Sequence, residues 1–237
     1  LCCGMVGAKQ GWVEAPYASI PYNLMQEADN VKVSCSDDRL NVRILGGLRQ
    51  DNPADVMRGE ETQIRGFLSI FSNFDGIICL PGTHTKWVHV SAGEVISFRT
   101  FMSGELFDLL SKFSVLKHSV KSSGWNDKEF RSAVSESISN PQKSFSDFFK
   151  LRADHLLKQV EQSELRSKLS GYIIGAELAG AKPYWLGQNV VILGNNNLSK
   201  IYKTALEAQG IFAQEVDATE CTLNGFAQAF SLISGRH

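Results

Sequence analysis

Four short stretches hold residue types and spacings that could do chemistry. The first is Leu80-Pro81-Gly82-Thr83-His84-Thr85-Lys86, a glycine-containing turn between two strand-like runs. Backbone N–H groups in such a turn can form an anion-binding concavity, and the Thr hydroxyls and the lysine add donors for phosphate oxygens. The GxxxxGK[ST] spacing of a Walker loop is absent, and a strand follows rather than a helix. On pattern alone an ordinary hairpin turn therefore stands beside the phosphate reading.

The second stretch is Arg58-Gly59-Glu60-Glu61-Thr62-Gln63, at the start of an amphipathic run. Carboxylates in a first helical turn complement the macrodipole. Alternatively, one of them faces a cleft and accepts a proton from a substrate hydroxyl. Glu60 and Glu61 lie at i−4 and i−3 from Ile64, so periodicity does not choose between them. The third stretch is the glycine-rich Gly4-Met5-Val6-Gly7-Ala8-Lys9-Gln10-Gly11-Trp12. Small ligands bind at strand ends in open α/β sheets, and Lys9, Gln10 and Trp12 suit a carboxylated, hydroxylated ligand. The fourth, Gly194-Asn195-Asn196-Asn197, could seat an adenosine or be a plain turn, and it lacks GxGxxG spacing.

Other catalytic signatures are missing. The histidines at 84, 89, 118, 155 and 237 form no HExxH or similar metal spacing, and there is no GxSxG elbow. Of the five, His84 alone falls inside a candidate site. The cysteines at 2, 3, 35, 79 and 221 are odd in number and irregular in spacing. This argues for a reducing compartment and for buried thiols rather than a disulfide framework.

Positioning these groups requires ordered elements. Residues 1 to 6 read as a buried strand and 41 to 45 as a second one, with Asn52-Pro53 in a linker beyond it. Ile64, Phe67, Leu68 and Phe71 fall at i, i+3, i+4 and i+7 of a helix. Strand-like runs at 77–80, 86–90 and 95–101 follow, joined by Pro81-Gly82-Thr83 and Ser91-Ala92-Gly93. A helix is expected from Glu105 to Leu116. Residues 119 to 170 read as polar helices without chemistry, with Asn126 and Glu129 as a capping box. From 171 onward helix, strand, helix, strand and helix alternate, which implies βαβ units in a partly parallel sheet.

A chain of 237 residues with a net charge of −1 gives no electrostatic reason to expect nucleic acid or a membrane surface as partner. No apolar run approaches the roughly 20 residues that span a bilayer.

In this order the motifs resemble one family. Gly59-Glu60-Glu61-Thr62-Gln63, Leu80 to Trp87 and Phe98 to Leu106 are similar to the 2-dehydro-3-deoxygalactonokinases. So are Gly4 to Gly7, Gln10 to Tyr17, and Gly171 to Leu178 with Gly194. That family belongs to the sugar kinase, heat-shock ATPase and actin superfamily. The resemblance implies an α/β, ribonuclease H-like (actin-like ATPase) two-domain kinase fold, with a cleft for ATP and sugar acid between the domains. Residues 1–58 would be part of a substrate-binding domain and 59–237 the nucleotide-binding domain.

The implied reaction is Mg²⁺- and ATP-dependent phosphorylation of 2-dehydro-3-deoxy-D-galactonate at its 6-hydroxyl, in the cytoplasm. A kinase for another sugar, or an inactive sugar-acid or nucleotide-binding protein, is the alternative. Glu60 or Glu61 would be the base. Gly82, Thr83, His84, Thr85, Lys86, Gly194 and Asn195 would hold the nucleotide, and Gly4, Met5, Lys9, Gln10 and Trp12 the sugar acid. The residues that would hold the metal are not identified from the sequence. Family members often carry Ser-Arg where this chain has Ala8-Lys9, and lysine lacks arginine's bidentate fork for a carboxylate. The family's first phosphate loop, an Asp-x-Gly-Thr turn that also helps hold magnesium, would precede Leu1, leaving the first domain incomplete.

Overall fold

The computed structural model describes residues 1–235 except 27, 122, 195 and 196. The first part of the chain is built from short strands: β1 (Tyr17–Ser19), β2 (Tyr22–Asn23), β3 (Asn30–Val33), β4 (Val42–Leu45), β5 (Gly47–Asp51) and β6 (Ala54–Met57). The expected strand at 1–6 is reduced to one parallel bridge, Cys2 to Ile44, followed by a 3₁₀ turn over Gly4–Gly7. Gly4 adopts φ +79°, which turns the backbone out of the extended path.

The expected linker around Asn52-Pro53 is instead the turn of a hairpin. Strands β5 and β6 pair from Leu48↔Met57 to Asp51↔Ala54, and β5 alternates buried and exposed residues. Turn residues between two half-buried strands carry the same composition as a linker, which is why the pattern misleads.

The rest is a layered α/β unit. Helix α1 (Glu60–Ile70) precedes the meander β7 (Gly76–Leu80), β8 (Thr85–Ser91) and β9 (Glu94–Phe101). Next come α2 (Ser103–Phe113), α3 (Asp127–Ser139), α4 (Ser144–Lys158), α5 (Gln162–Gly180) and the short α6 (Lys182–Trp185). The chain then forms β10 (Val190–Leu193), α7 (Asn197–Glu207), β11 (Gln214–Val216) and α8 (Ala218–Ser234). The main sheet runs β11-β10-β7-β8-β9-β2. In it β10 is parallel to both β7 and β11, and β8 is antiparallel to its neighbours. Strand β2 closes the far edge through Tyr22↔Val95, so the early chain contributes to this sheet as well.

Both faces of the sheet are covered. Ile78 and Leu80 pack with Ile64, Phe67 and Leu68 of α1, whereas Ile77 and Cys79 pack with Phe130, Val134, Ile174 and Tyr202 of α3, α5 and α7. This explains the unbroken apolar run of β7, which has no solvent face. Each such fully buried side chain contributes about 1.5–3 kcal/mol.

Two helix contacts fix the elements that carry the site. On α1 and α8, Gly66 faces the Cys221 carbonyl and Gly225 faces the Thr62 carbonyl, each so closely that a Cβ would overlap the oxygen. These helices therefore pack backbone to backbone, and the start of α1 is rigidly set. Asn126 caps α3 by accepting from Glu129 N at 3.2 Å, as its capping-box spacing predicts. Among the described residues no helix is long and apolar enough to cross a membrane.

Candidate functional site

Strands β7 and β10 end, and α8 begins, around one cleft of about 1000 Å³. This is the carboxyl edge of the parallel strands, where α/β sheets bind ligands. Leu80 to Thr83 and Leu193-Gly194 form its sheet side, and Thr219 and Thr222 come from the first two turns of α8. Met5, Lys9 and Gln10 of the glycine-rich loop enter from the opposite side, together with Glu60 and Gln63 of α1. The first turns of two helices, α1 and α8, thus meet in the cleft.

The turn after β7 has the shape an anion needs. A Cβ on Gly82 would meet nothing nearer than 4.0 Å, and Gly82 does not take a positive φ, so neither packing nor backbone strain explains the glycine. The open face leaves room for a ligand to approach the main chain. Behind it, Gly104 at the start of α2 sits against Gly82 O and Thr83 Cα with no room for a side chain. Glu105 N donates to Thr83 O at 3.0 Å, and His84 Nε2 lies 2.6 Å from Glu105 Oε2. The turn is therefore held from one side and open on the other.

The two adjacent glutamates have different surroundings. Glu60 lines the cleft with its side chain 25% exposed, and its Oε1 lies 3.4 Å from Lys86 Nζ, whose side chain is 6% exposed. Its other oxygen accepts from Arg58 N at 3.1 Å. Glu61 is buried outside the cleft lining; Oε2 accepts from Gly59 N at 2.6 Å and Oε1 from the Thr62 hydroxyl at 3.3 Å. Burial, assisted by the nearby Glu60 charge, pushes the Glu61 carboxyl up to about 7. Helical periodicity could not separate the two, but the packing of α1 does.

Of the remaining candidates, Thr83, His84, Lys86 and Gly194 line the cleft. Thr85 does not: it is fully buried, with Oγ1 2.8 Å from the Tyr202 hydroxyl. Gly194 is explained by packing, since a Cβ there would collide with Ser199 Oγ. Gly4 sits behind the cleft, its Cα 3.2 Å from where a Gly59 Cβ would lie. Trp12 is 54% exposed and outside the lining. Asn195 lies outside the described residues.

Arg58, which opens the second stretch, and Tyr17 were given no site role from the sequence, yet both line the cleft. The Arg58 guanidinium stacks 4.0 Å from the Tyr17 ring centroid and donates to Ala15 O at 2.9 Å, tying the glycine-rich loop to the start of α1.

Sequence reasoning passed over a second cavity, of about 660 Å³, on the far side of the same turn. Pro81, Gly82 and Thr83 line both spaces. Trp125, Arg166, Ile173, Asn197 and Tyr202 contribute to its walls, from α5, α7 and the segment before α3. Apart from Asn197, which ends the fourth stretch singled out in the sequence, these positions are far apart and no local motif announces them.

A profile of the family described as 2-keto-3-deoxy-galactonokinase matches residues 1–229. The chain belongs to that family. A relative from Rhizobium meliloti (strain 1021), named as a probable 2-dehydro-3-deoxygalactonokinase, is 38% identical over 235 residues, covering 97% of this chain and 76% of the relative. The 2-dehydro-3-deoxygalactonokinase of Escherichia coli (strain K12) is 33% identical over 215 residues, covering 87% and 70%. A crystal structure of a Sinorhizobium meliloti protein, named for the same activity, matches with a TM-score of 0.89 at 38% identity. That match covers 98% of this chain and 78% of the other. The mixed α/β fold is thus shared with a family member of known structure.

Proposed function

We propose that this chain transfers the γ-phosphoryl group of ATP to the 6-hydroxyl of 2-dehydro-3-deoxy-D-galactonate. The observation that carries the reading is the single cleft in which the open Gly82 turn, the Glu60 carboxylate and the Lys9-Gln10 loop meet. Membership of the kinase family supports it. So does the strand order: β7 to β11 are arranged 3-2-1-4-5 with the second strand antiparallel, as in a ribonuclease H-like unit. On this reading residues 59–237 form the nucleotide-binding domain and 1–58 belong to the substrate-binding domain. The protein acts in the cytoplasm, where ATP is supplied.

Phosphoryl transfer asks a protein chiefly for alignment and charge stabilisation. Glu60 orients the sugar-acid hydroxyl and takes its proton. The open backbone at Gly82 and Thr83 binds phosphate oxygens, and Lys86 offsets their charge. Lys9 meets the substrate carboxylate, and Gln10 a hydroxyl. The second cavity takes the nucleoside, because only the turn separates it from the cleft and its walls combine Trp125 and Ile173 with polar groups. Among the described residues, Glu14 is the other carboxylate that lines the cleft. It suits a Mg²⁺ ion, which binds through one or two carboxylates plus substrate phosphates and retained waters. When bound, the ion would neutralise charge on the phosphates.

The test is turnover against a panel at fixed ATP: the 2-dehydro-3-deoxy sugar acid, its stereoisomer at C4, and neutral hexoses. ADP release with the sugar acids and none with hexoses is expected. Equal turnover of hexoses would contradict the assignment.

A further inference from the structure

Behind the phosphate turn lies a buried carboxylate that the proposed chemistry does not use. Glu177 sits in the last turn of α5 and is 3% exposed. Its Oε1 accepts from Trp87 Nε1 at 2.8 Å, its Oε2 from the Tyr202 hydroxyl at 2.7 Å, and the Ser103 side chain adds a third hydrogen bond. The Tyr202 oxygen is also 2.8 Å from Thr85 Oγ1. With the tyrosine proton committed to the carboxylate, the threonine hydroxyl is the donor in that contact, so Thr85, Tyr202 and Glu177 form a directed chain.

The partners come from three places that matter. Thr85 and Trp87 flank Lys86 where β8 leaves the turn. Ser103 opens α2, one residue before the glycine that backs Gly82. Tyr202, on α7, lines the second cavity, as does Ser103. Glu177 itself lines neither space, and neither does Thr85.

The chemistry at this position calls for an acceptor. Three donors converge on Glu177, and an ionised carboxylate is acceptor-only. A glutamine would present its NH₂ to one of those donors. Placing an acid here is unfavourable by itself: burial pushes Glu177 up to about 7 despite its hydrogen bonds. An apolar side chain would avoid that desolvation but leave the Trp87, Tyr202 and Ser103 donors without an acceptor. The carboxylate thus ties β8, α2 and α7 together at one point.

We propose that Glu177 is a positioning residue that holds the phosphate turn against the wall of the second cavity, and so sets affinity for the nucleotide but not for the sugar acid. This rests on the nucleoside occupying that cavity. Loss of the carboxylate frees the Thr85–Tyr202 chain to reverse, unpins β8 from α2 and α7, and lets the turn drift from the cavity. The network approaches the sugar-acid side through Lys86, which stands between Thr85 and Trp87 with its Nζ 3.4 Å from Glu60 Oε1, whereas Lys9 and Gln10, which meet the sugar acid, are not part of it.

The test is isothermal titration of the full chain with a non-hydrolysable ATP analogue and, separately, with 2-dehydro-3-deoxy-D-galactonate. Wild type is compared with Glu177→Gln and Thr85→Val, and circular dichroism reports folding. A misplacement on the order of 1 Å can cost about 10² in function. Nucleotide Kd is therefore expected to rise about ten-fold or more in Glu177→Gln, and by less in Thr85→Val. Sugar-acid Kd should stay within about two-fold of wild type in both. Unchanged nucleotide affinity, or equal weakening of both ligands, overturns the proposal. If Glu177→Gln does not fold, Thr85→Val decides by the same criterion. A wild-type chain that binds sugar acid but no nucleotide overturns the nucleotide reading, and this proposal with it.

Discussion

Replacing Glu60 by glutamine removes the cleft-facing charge while keeping the side chain's volume. The amide oxygen can still accept from Arg58 N, now 3.1 Å from the carboxylate. The partner of Lys86, at 3.4 Å, is lost, and that lysine has little water to turn to. A positioned general base contributes about 10²–10⁴ in rate, or about 2.7–5.4 kcal/mol of barrier. kcat should therefore fall by that factor, with KM for both substrates within about three-fold of wild type. Removing one partner from a fully buried ion pair costs about 3–5 kcal/mol. Glu60 retains a quarter of its exposure, and solvent screening should reduce the expected loss of stability to about 1–2 kcal/mol. Adding Lys86→Met removes the orphaned cation and should recover stability without recovering kcat. Coupled measurement of ADP release, alongside thermal unfolding, reads both quantities. A Glu60→Gln enzyme within ten-fold of the wild-type kcat, or a double variant that regains turnover, would refute the assignment.

Gly104→Ala drives a methyl group into the Gly82 carbonyl, so the turn must move; nucleotide KM should rise about ten-fold or more and stability drop by about 1–3 kcal/mol, read by kinetics and thermal unfolding. Lys9→Arg restores a bidentate fork and should tighten sugar-acid binding several-fold, whereas Lys9→Met should weaken it about 10–100-fold by titration calorimetry. Glu61 has a folded-state value of about 7 against an ordinary 4.5, so between these the native state binds more protons than the unfolded chain. Its contribution to stability is accordingly greatest below about 4.5 and is lost as pH rises through about 7. The midpoint of unfolding should decline less between pH 5 and 8 in Glu61→Gln than in wild type, and an identical slope would contradict the burial argument.

The helices and the meander were legible where burial follows a period. Ile64, Phe67 and Leu68 are buried as the α1 stripe requires, and β7 to β9 fall within a residue or so of their expected spans. The early strands were not, because β1 and β2 have only three and two residues and show no alternation to read. The motifs supplied the residues of the cleft but not their orientation. Whether Glu60 or Glu61 looks outward depends on α1 lying against α8, a contact between positions more than 150 apart. The second cavity draws on Ser103, Trp125, Ile173 and Tyr202, which share no local pattern. Glu177 did leave a signal: a lone acid within Tyr-Ile-Ile-Gly-Ala-Glu-Leu-Ala, flanked by residues that are nearly all buried.

Phosphorus NMR of the wild-type chain with Mg²⁺, ATP and 2-dehydro-3-deoxy-D-galactonate tests the central claim most directly. The account predicts loss of the γ-phosphate resonance and growth of a phosphomonoester signal coupled to the C6 protons of the sugar acid. A chain that binds both compounds yet forms no such ester, or that places the phosphate on another carbon, would contradict it.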